Sequence, residues 1–316
     1  MRRALFTALF TATSILAQPK PPPDLAITPV ERAAIVAGVA QKVELEYVDE
    51  KKGRELAAAL RSASFEGIES ALKLVPAVNR VFASAHDLHL RFGYDHELER
   101  PHDHAAELRE LARSGYGVGG VQRLDGNIGL LTWTGFDEPA YAGAAVTAAM
   151  ELLQDTDAMI IDLRDSAGGD PAMVVYLLTY FMPEGDPVHV VSIYNRPSNF
   201  TRQMWTLPYV AGRRYTGKPV YILTSARTFS AAEGFAEHMR RLRGAVLVGE
   251  KTRGGAHLGE WTRVHPHFAV YVPVGRAFDP ATNRNWEGVG LEPDVAVAEA
   301  EALRTAHERA LKAVVP

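Results

Sequence analysis

KPVYILTSARTFSAAEGFAEHMRRL, residues Lys218 to Leu242, passes from a buried-strand pattern to a helix within one turn. Val220, Tyr221, Ile222 and Leu223 form the apolar run, small polar residues follow, and helical spacing begins at Ser230. A serine at such a switch lies at the edge of a sheet, beside helix N–H groups that have no intrahelical partner. Those groups and the positive end of the helix dipole favour negative charge. They suit a nucleophile and the oxyanion it creates. The same residues also spell a capping box, in which Ser230 ties off the helix and Glu233 reaches back. Ser230 therefore needs partners elsewhere before it reads as catalytic.

Outward from this stretch, strands and helices alternate. Asn127 to Phe136 reads as a strand, Tyr141 to Gln154 as an alanine-rich helix, Ala158 to Arg164 (AMIIDLR) as a continuous apolar strand, and Asp170 to Met182 as a helix. Pro187 to Asn195 and Ala245 to Gly249 add strands, and Trp261 to Val274 alternates as a hairpin does. The rhythm predicts an α/β domain with a largely parallel, buried sheet. Glu299 to Val315 closes it as a helix. Upstream, helices are expected from Pro29, from Gly53 to Ser62 and from Gly67 to Ala85, with Arg100 to Gly120 as a connection. The expected division is an N-terminal helical subdomain over 28–115 and a catalytic domain over 116–316.

The 316 residues are 47% hydrophobic and 23% charged, with net charge -4, which gives no basis for a nucleic-acid partner. There is no cysteine, which removes disulfides and thiolate nucleophiles. Met1-Arg2-Arg3 precedes an apolar run from Ala4 to Ala17, too short for a bilayer span of about 20 residues and suited to a signal peptide over 1–17. A Pro-rich linker over 18–27 follows, so a periplasmic or secreted protein without stable membrane insertion is expected.

Three clusters outside the opening stretch carry possible chemistry. Asp165-Ser166-Ala167-Gly168-Gly169-Asp170 follows an apolar strand, where open α/β sheets bind ligands. Gly168 and Gly169 there would let backbone N–H groups approach a substrate, with the Ala231 N–H as the other half of an oxyanion hole; the plain alternative is a tight turn. In His86-Asp87-Leu88-His89-Leu90, extended alternation would send Asp87 and His89 to one side and His86 and Leu88 to the other. His89, flanked by leucines, fits a general base or a satisfied core histidine equally well. Glu287, between Trp286 and Gly288, reads as a shielded carboxylate able to orient an imidazole, or as a surface glutamate. His265 and His267 have no carboxylate at matching spacing, so no metal is expected; a serine nucleophile with a histidine base implies no cofactor. Gly244 to Thr252 (GAVLVGEKT) falls one residue out of register with a phosphate-binding loop, and its AVLV interior belongs in a strand.

Taken in order, IIDLRDSAGGD, TSARTFSAAEGFAEHM, GAVLVGEKTRGGAH and NWEGVGLEPDV resemble the S41 serine peptidases, the family of the C-terminal processing and tricorn peptidases. HDLHLRF and the helical N-terminus resemble the branch that includes the interphotoreceptor retinoid-binding modules. The resemblance implies a crotonase/ClpP-like β-β-α superhelix core carrying an N-terminal helical subdomain. It also implies Ser230 as nucleophile, His89 as base, Glu287 as the acid of the set, and Gly168 or Gly169 with Ala231 as the oxyanion hole. The lysine of the processing peptidases' Ser-Lys dyad falls here on Gly255, with Lys251 a poor substitute, which favours a histidine base. The serine that precedes the histidine in tricorn-like members falls on Leu88. Only about 30 residues separate His89 from Gly120, which leaves no room for a PDZ module.

The resulting expectation is a serine peptidase acting on peptides or unfolded proteins through an acyl-enzyme. Its rival is a carrier of apolar ligands, with Trp205, Tyr209 and Phe229 lining a pocket around a merely capping Ser230. A degenerate peptidase serving as a scaffold is the third possibility.

Overall fold

The computed structural model describes residues 22–96 and 103–314. The expected signal peptide and most of the expected linker lie outside these residues. The helices are α1 (Pro29–Glu46), α2 (Glu50–Ser62), α3 (Ala71–Phe82), α4 (His104–Arg113), α5 (Pro139–Leu153), α6 (Pro171–Thr179), α7 (Ala231–Arg243) and α8 (Glu299–Val314). The strands are β1 (Arg91–Tyr94), β2 (Val118–Leu124), β3 (Ile128–Trp133), β4 (Ala158–Asp162), β5 (His189–Asn195), β6 (Phe200–Trp205), β7 (Val220–Thr224), β8 (Val246–Gly249), β9 (His257–His265), β10 (Phe268–Phe278) and β11 (Val295–Ala296).

One sheet runs β11-β8-β7-β4-β3-β2, parallel except for the β2–β3 pair. Its central strands are mainly apolar because both faces are covered. Along β4, Met159 and Ile161 enter the core under α5, α6 and α7, while Ala158 and Ile160 face the opposite cluster. Along β7, Val220 and Ile222 take the first side, Tyr221 and Leu223 the second. Period-two alternation thus divides one continuous apolar run between two cores. On the second face, α8 presents Ala302, Ala306 and Ala310, four residues apart, and their small side chains let the helix sit close to the strands.

The other sheet is antiparallel, in the order β1-β10-β5-β6 with β9 also on β10. Strand β5 belongs here, which corrects its expected place in the α/β alternation. The N-terminal helices cover this sheet: Val39, Val43, Leu60, Leu74 and Val78 share a core with Phe268, Val270 and Val272 of β10. Segment 28–115 contributes β1 as well as helices, so its core is completed by residues of the expected catalytic domain.

The stretch expected as a connection from Arg100 to Gly120 contains α4 and the start of β2. Helix α4 buries none of its residues and begins at the Asp103 side chain, which accepts a hydrogen bond from the Ala106 N–H at 2.9 Å. Local capping, rather than an apolar stripe against the core, accounts for its start.

Candidate active site

Strands β4 and β7 are neighbours, and the loops leaving their carboxyl ends are bound together. The Thr228 hydroxyl donates to the Leu163 carbonyl at 2.9 Å, the Ser225 hydroxyl to the Arg164 carbonyl at 2.6 Å, and the Phe229 N–H to the Ser166 carbonyl at 3.1 Å. The glycine loop and the strand-to-helix turn are thereby held as one unit. Ser230, at the head of α7, has φ 56° and ψ -121°, a conformation that costs a non-glycine residue about 1–3 kcal/mol. The surrounding hydrogen bonds sustain that strain, and the turn holds the hydroxyl at the edge of the parallel sheet.

That hydroxyl lies 3.1 Å from His89 Nε2. His89 is buried just before β1, in a segment where Asp87 and His89 turn inward and His86 and Leu88 outward, the alternation expected from sequence. Its ring is stacked against Phe229, with centroids 4.4 Å apart, and lies near-parallel to Tyr271 at 6.2 Å. Nδ1 is buried without a partner among the described residues, and for Nε2 to accept the serine proton the imidazole hydrogen must sit there. Burial lowers the His89 pKa to about 4, against an opposing pull from the Asp87 charge.

Gly168 (φ +96°) and Gly169 (φ +144°) take conformations that favour glycine. A Cβ added at Gly168 would meet the Ala231 nitrogen at 2.6 Å and Ser230 Cβ at 2.8 Å, so the glycine loop rests directly on the serine turn. Gly169, Ser230 and Ala231 line one cleft, whose other walls include Val174, Val191, Ile193, Leu258 and Trp286. This cleft is suited to an apolar side chain beside the serine.

Glu233 lies at the third position of α7 and is fully buried. Its carboxylate accepts from the Ser230 N–H at 2.9 Å, as the capping box predicts. It also accepts from the Thr252 hydroxyl at 2.5 Å and from the Gly254 and Gly255 N–H groups, each at 2.8 Å. Burial pushes this carboxyl up and the four donors oppose it. Glu233 thus binds the serine turn to segment 252–255, a function not evident from the capping motif alone.

The expected series Ser230–His89–Glu287 forms at its first link and not at its second. Glu287 Oε2 accepts from the Ala256 and His257 N–H groups at 2.6 and 2.9 Å, its Oε1 is buried without a partner, and neither oxygen bonds His89. Between them stand two residues given no role from sequence. Asp87 Oδ1 accepts from the His89 N–H at 2.9 Å and the Leu90 N–H at 3.3 Å. Its Oδ2 accepts from the Tyr47 hydroxyl at 3.0 Å and from His257 Nδ1 at 2.7 Å. Burial alone would raise the Asp87 carboxyl, but hydrogen bonds led by that of His257 outweigh it and hold the group below the usual range. Glu287 lacks a comparable set of donors, and burial pushes it up. Asp87 was visible as the inward neighbour of His89. His257 was one of eleven histidines and carried no sequence signal of its own.

Asp87, His257 and Glu287 also offer ligand-type atoms within 4.8 Å of one another. The 2.7 Å between Asp87 and His257 is a hydrogen-bond length, shorter than the roughly 3.3 Å separating two ligands of a tetrahedral ion with bonds of about 2.0 Å. Lys251 is engaged by Glu292 at 2.6 Å, away from Ser230. At Gly255 a Cβ would fall 2.6 Å from His89 Cε1 and 2.2 Å from Phe229 Cε2, so these rings occupy the space a side chain would need. Phe229 belongs to the site, whereas Trp205 and Tyr209 are exposed and do not line its cleft.

Residues 127–297, more than half of the chain, match the family model described as Peptidase family S41. The match includes Gly168, Gly169, Ser230 and Glu287 and begins downstream of His89. A carboxyl-terminal-processing protease of Synechocystis is 24% identical over 173 residues, covering 55% of this chain and 38% of that protein. The chain spans about a third of the length of the curated relatives it matches. Among solved structures, a lipoprotein from Streptococcus agalactiae superposes with TM-score 0.60 at 14% identity, covering 92% of this chain and 99% of that one. The photosystem II D1 C-terminal processing protease gives 0.54 at 15% identity, covering 90% and 97%. At these identities the likeness is one of fold.

Proposed function

The chain belongs to peptidase family S41, and from that premise we propose that it is a serine peptidase in which Ser230 is the nucleophile and His89 the general base. The observation that carries the proposal is the 3.1 Å contact between the Ser230 hydroxyl and His89 Nε2, made at a strained turn that faces a glycine pair. Ser230 Oγ attacks the peptide carbonyl while His89 Nε2 takes its proton. The carbonyl oxygen becomes an oxyanion, received by the N–H groups of Gly169 and Ala231 with Gly168 shaping the approach. Collapse of the tetrahedral species breaks the C–N bond, and His89 returns the proton to the leaving amine. Water, activated by the same imidazole, then hydrolyses the acyl-enzyme. Glu287 belongs to the site but acts at one remove from His89.

The apolar cleft suits a peptide or unfolded segment with an apolar residue at the cleaved bond. We read the core as the crotonase/ClpP-like β-β-α superhelix of this family. Export to the periplasm or exterior follows from the signal-peptide reading of residues 1–17 and is part of the proposal. No helix among the described residues is long and apolar enough to cross a membrane. Between His89 and Gly120 the described residues form β1, α4 and the start of β2.

A fluorophosphonate probe should label the chain on Ser230, with one label per chain located by peptide mapping. A carrier whose serine only caps a helix would not react, and failure to label would reject the peptidase reading. A second expectation concerns pH. The base must be neutral to accept a proton, and burial lowers the His89 pKa to about 4. Plotted against pH, kcat/KM for a peptide should stay level from neutrality downward and fall only as pH drops through about 4. An unperturbed histidine would place that limb near 6.5. An acid limb at the ordinary histidine position would argue against His89, as this site holds it, being the base.

A further inference from the structure

We propose that His257 is a positioning residue of this site: by donating from Nδ1 to Asp87 it fixes the carboxylate that pins the turn carrying His89, and it links that carboxylate to Glu287. The inference rests on the peptidase reading and deepens it.

Five hydrogen bonds carry the argument. The two oxygens of Asp87 hold opposite partners. Oδ1 takes the main-chain N–H groups of His89 and Leu90, which sets the path of the turn that aims the imidazole at Ser230. Oδ2 takes the Tyr47 hydroxyl and His257 Nδ1. An ionised carboxylate only accepts, so the His257 hydrogen resides on Nδ1. Glu287 Oε2 holds the His257 main-chain N–H at 2.9 Å and stands 3.7 Å from Nδ1. The order in space is therefore Ser230, His89, Asp87, His257, Glu287. The glutamate reaches the base through His257 and Asp87, which replaces the direct contact expected from sequence. Leu88, where tricorn-like members carry a serine, is 44% exposed and plays no part in the chain of contacts.

A merely structural His257 and a positioning His257 predict different pH behaviour. Asp87 holds the His89 main-chain N–H, and its charge favours the charged form of the imidazole, the form present in the transition state. Its carboxyl is held low chiefly by His257 against a burial effect that raises it. Without that donor, burial prevails and Asp87 takes up a proton at higher pH. As pH falls through the raised value, the imidazolium loses its counter-charge and reactivity falls earlier than in the unsubstituted chain. The remaining charged and titratable groups around these residues are Arg91 on β1, Arg253 after β8, Tyr47 at the end of α1, Tyr271 on β10 and Glu287. Of these only Tyr47 donates to Oδ2, where its hydroxyl is already engaged, and none adds a donor in the place of His257.

The test is the rate of Ser230 labelling by a fluorophosphonate between about pH 4 and pH 8, with peptide kinetics alongside. His257→Leu should lower the plateau rate about 10- to 100-fold and move the acid limb upward. His257→Asn, whose amide can donate from nearly the position of Nδ1, should recover most of the rate and the original limb. Tyr47→Phe, which removes the other donor to Oδ2, should shift the limb in the same direction by less, and it reports on the relay even if His257→Leu fails to fold. Plateau and limb unchanged in His257→Leu would overturn the proposal, as would an Asn variant as slow as the Leu variant with its limb unmoved. Absence of labelling in the unsubstituted chain would overturn the peptidase reading and this inference with it.

Discussion

Ser230→Ala and His89→Ala should each lower kcat for an unstructured peptide by about 10⁴-fold or more, and the double substitution should do no further harm. The non-additivity follows from the geometry. The two side chains meet at 3.1 Å and share one proton transfer, so removing either leaves the other with nothing to do. What survives is the rate supplied by the Gly169 and Ala231 N–H groups and by binding in the cleft, which neither substitution touches. Independent losses that multiply would mean that the serine and the histidine do not act together. Stability should separate from activity at the same position. Ser230 sits at φ 56°, ψ -121°, and alanine inherits that penalty, whereas glycine relieves it. Ser230→Gly should therefore be as inactive as Ser230→Ala yet more stable than it by about 1 kcal/mol, the relieved strain exceeding the added freedom of the unfolded chain. Comparing the two denaturation midpoints checks it.

Much of the parallel sheet and its helices was legible because burial on both faces writes itself into sequence as continuous apolar runs, as in AMIID and VYILT. Strand β6 was not, because it is an edge strand with nearly every side chain exposed and no alternation to read. Helix α4 leaves no apolar stripe to read for the related reason that it buries nothing. Strand β5 reads as a strand, but a short apolar run does not say which neighbour it will pair with, and it joins the antiparallel sheet. The site divides in the same way. Ser230, Glu233 and the glycine pair lie at element boundaries, where local signals are strong. Asp87 and His257 are 170 positions apart and meet only because β1 and β9 both pair with β10. Nothing local to either residue records that meeting, and a sequence reading that pairs Glu287 with His89 lacks the two residues that stand between them.

Gly255→Ala should lower kcat about 100-fold or more while leaving KM within a few-fold. The backbone at Gly255 is not in the left-handed region, so alanine can adopt it without torsional strain, and the effect must come from the one added carbon. That carbon would lie 2.2 Å from Phe229 Cε2 and 2.6 Å from His89 Cε1, both far inside contact distance. The segment cannot retreat easily. Its N–H is held by Glu233 at 2.8 Å and its carbonyl by the Trp286 indole at 2.7 Å. The stacked rings must move instead, and with them the nitrogen that faces Ser230. A displacement of about 1 Å is enough to cost two orders of magnitude in a proton transfer, while overpacking of this kind costs about 1–3 kcal/mol of stability. Gly120→Ala, whose added carbon meets nothing closer than 3.9 Å, provides the reference for a harmless glycine replacement. Wild-type kcat in Gly255→Ala would mean that His89 does not need the place it occupies, and so is not the base. The same clash explains why a histidine base and a side chain at position 255 exclude each other here. The lysine of a Ser-Lys dyad would need the volume that His89 and Phe229 already fill, so the glycine is part of how this chain accommodates its imidazole.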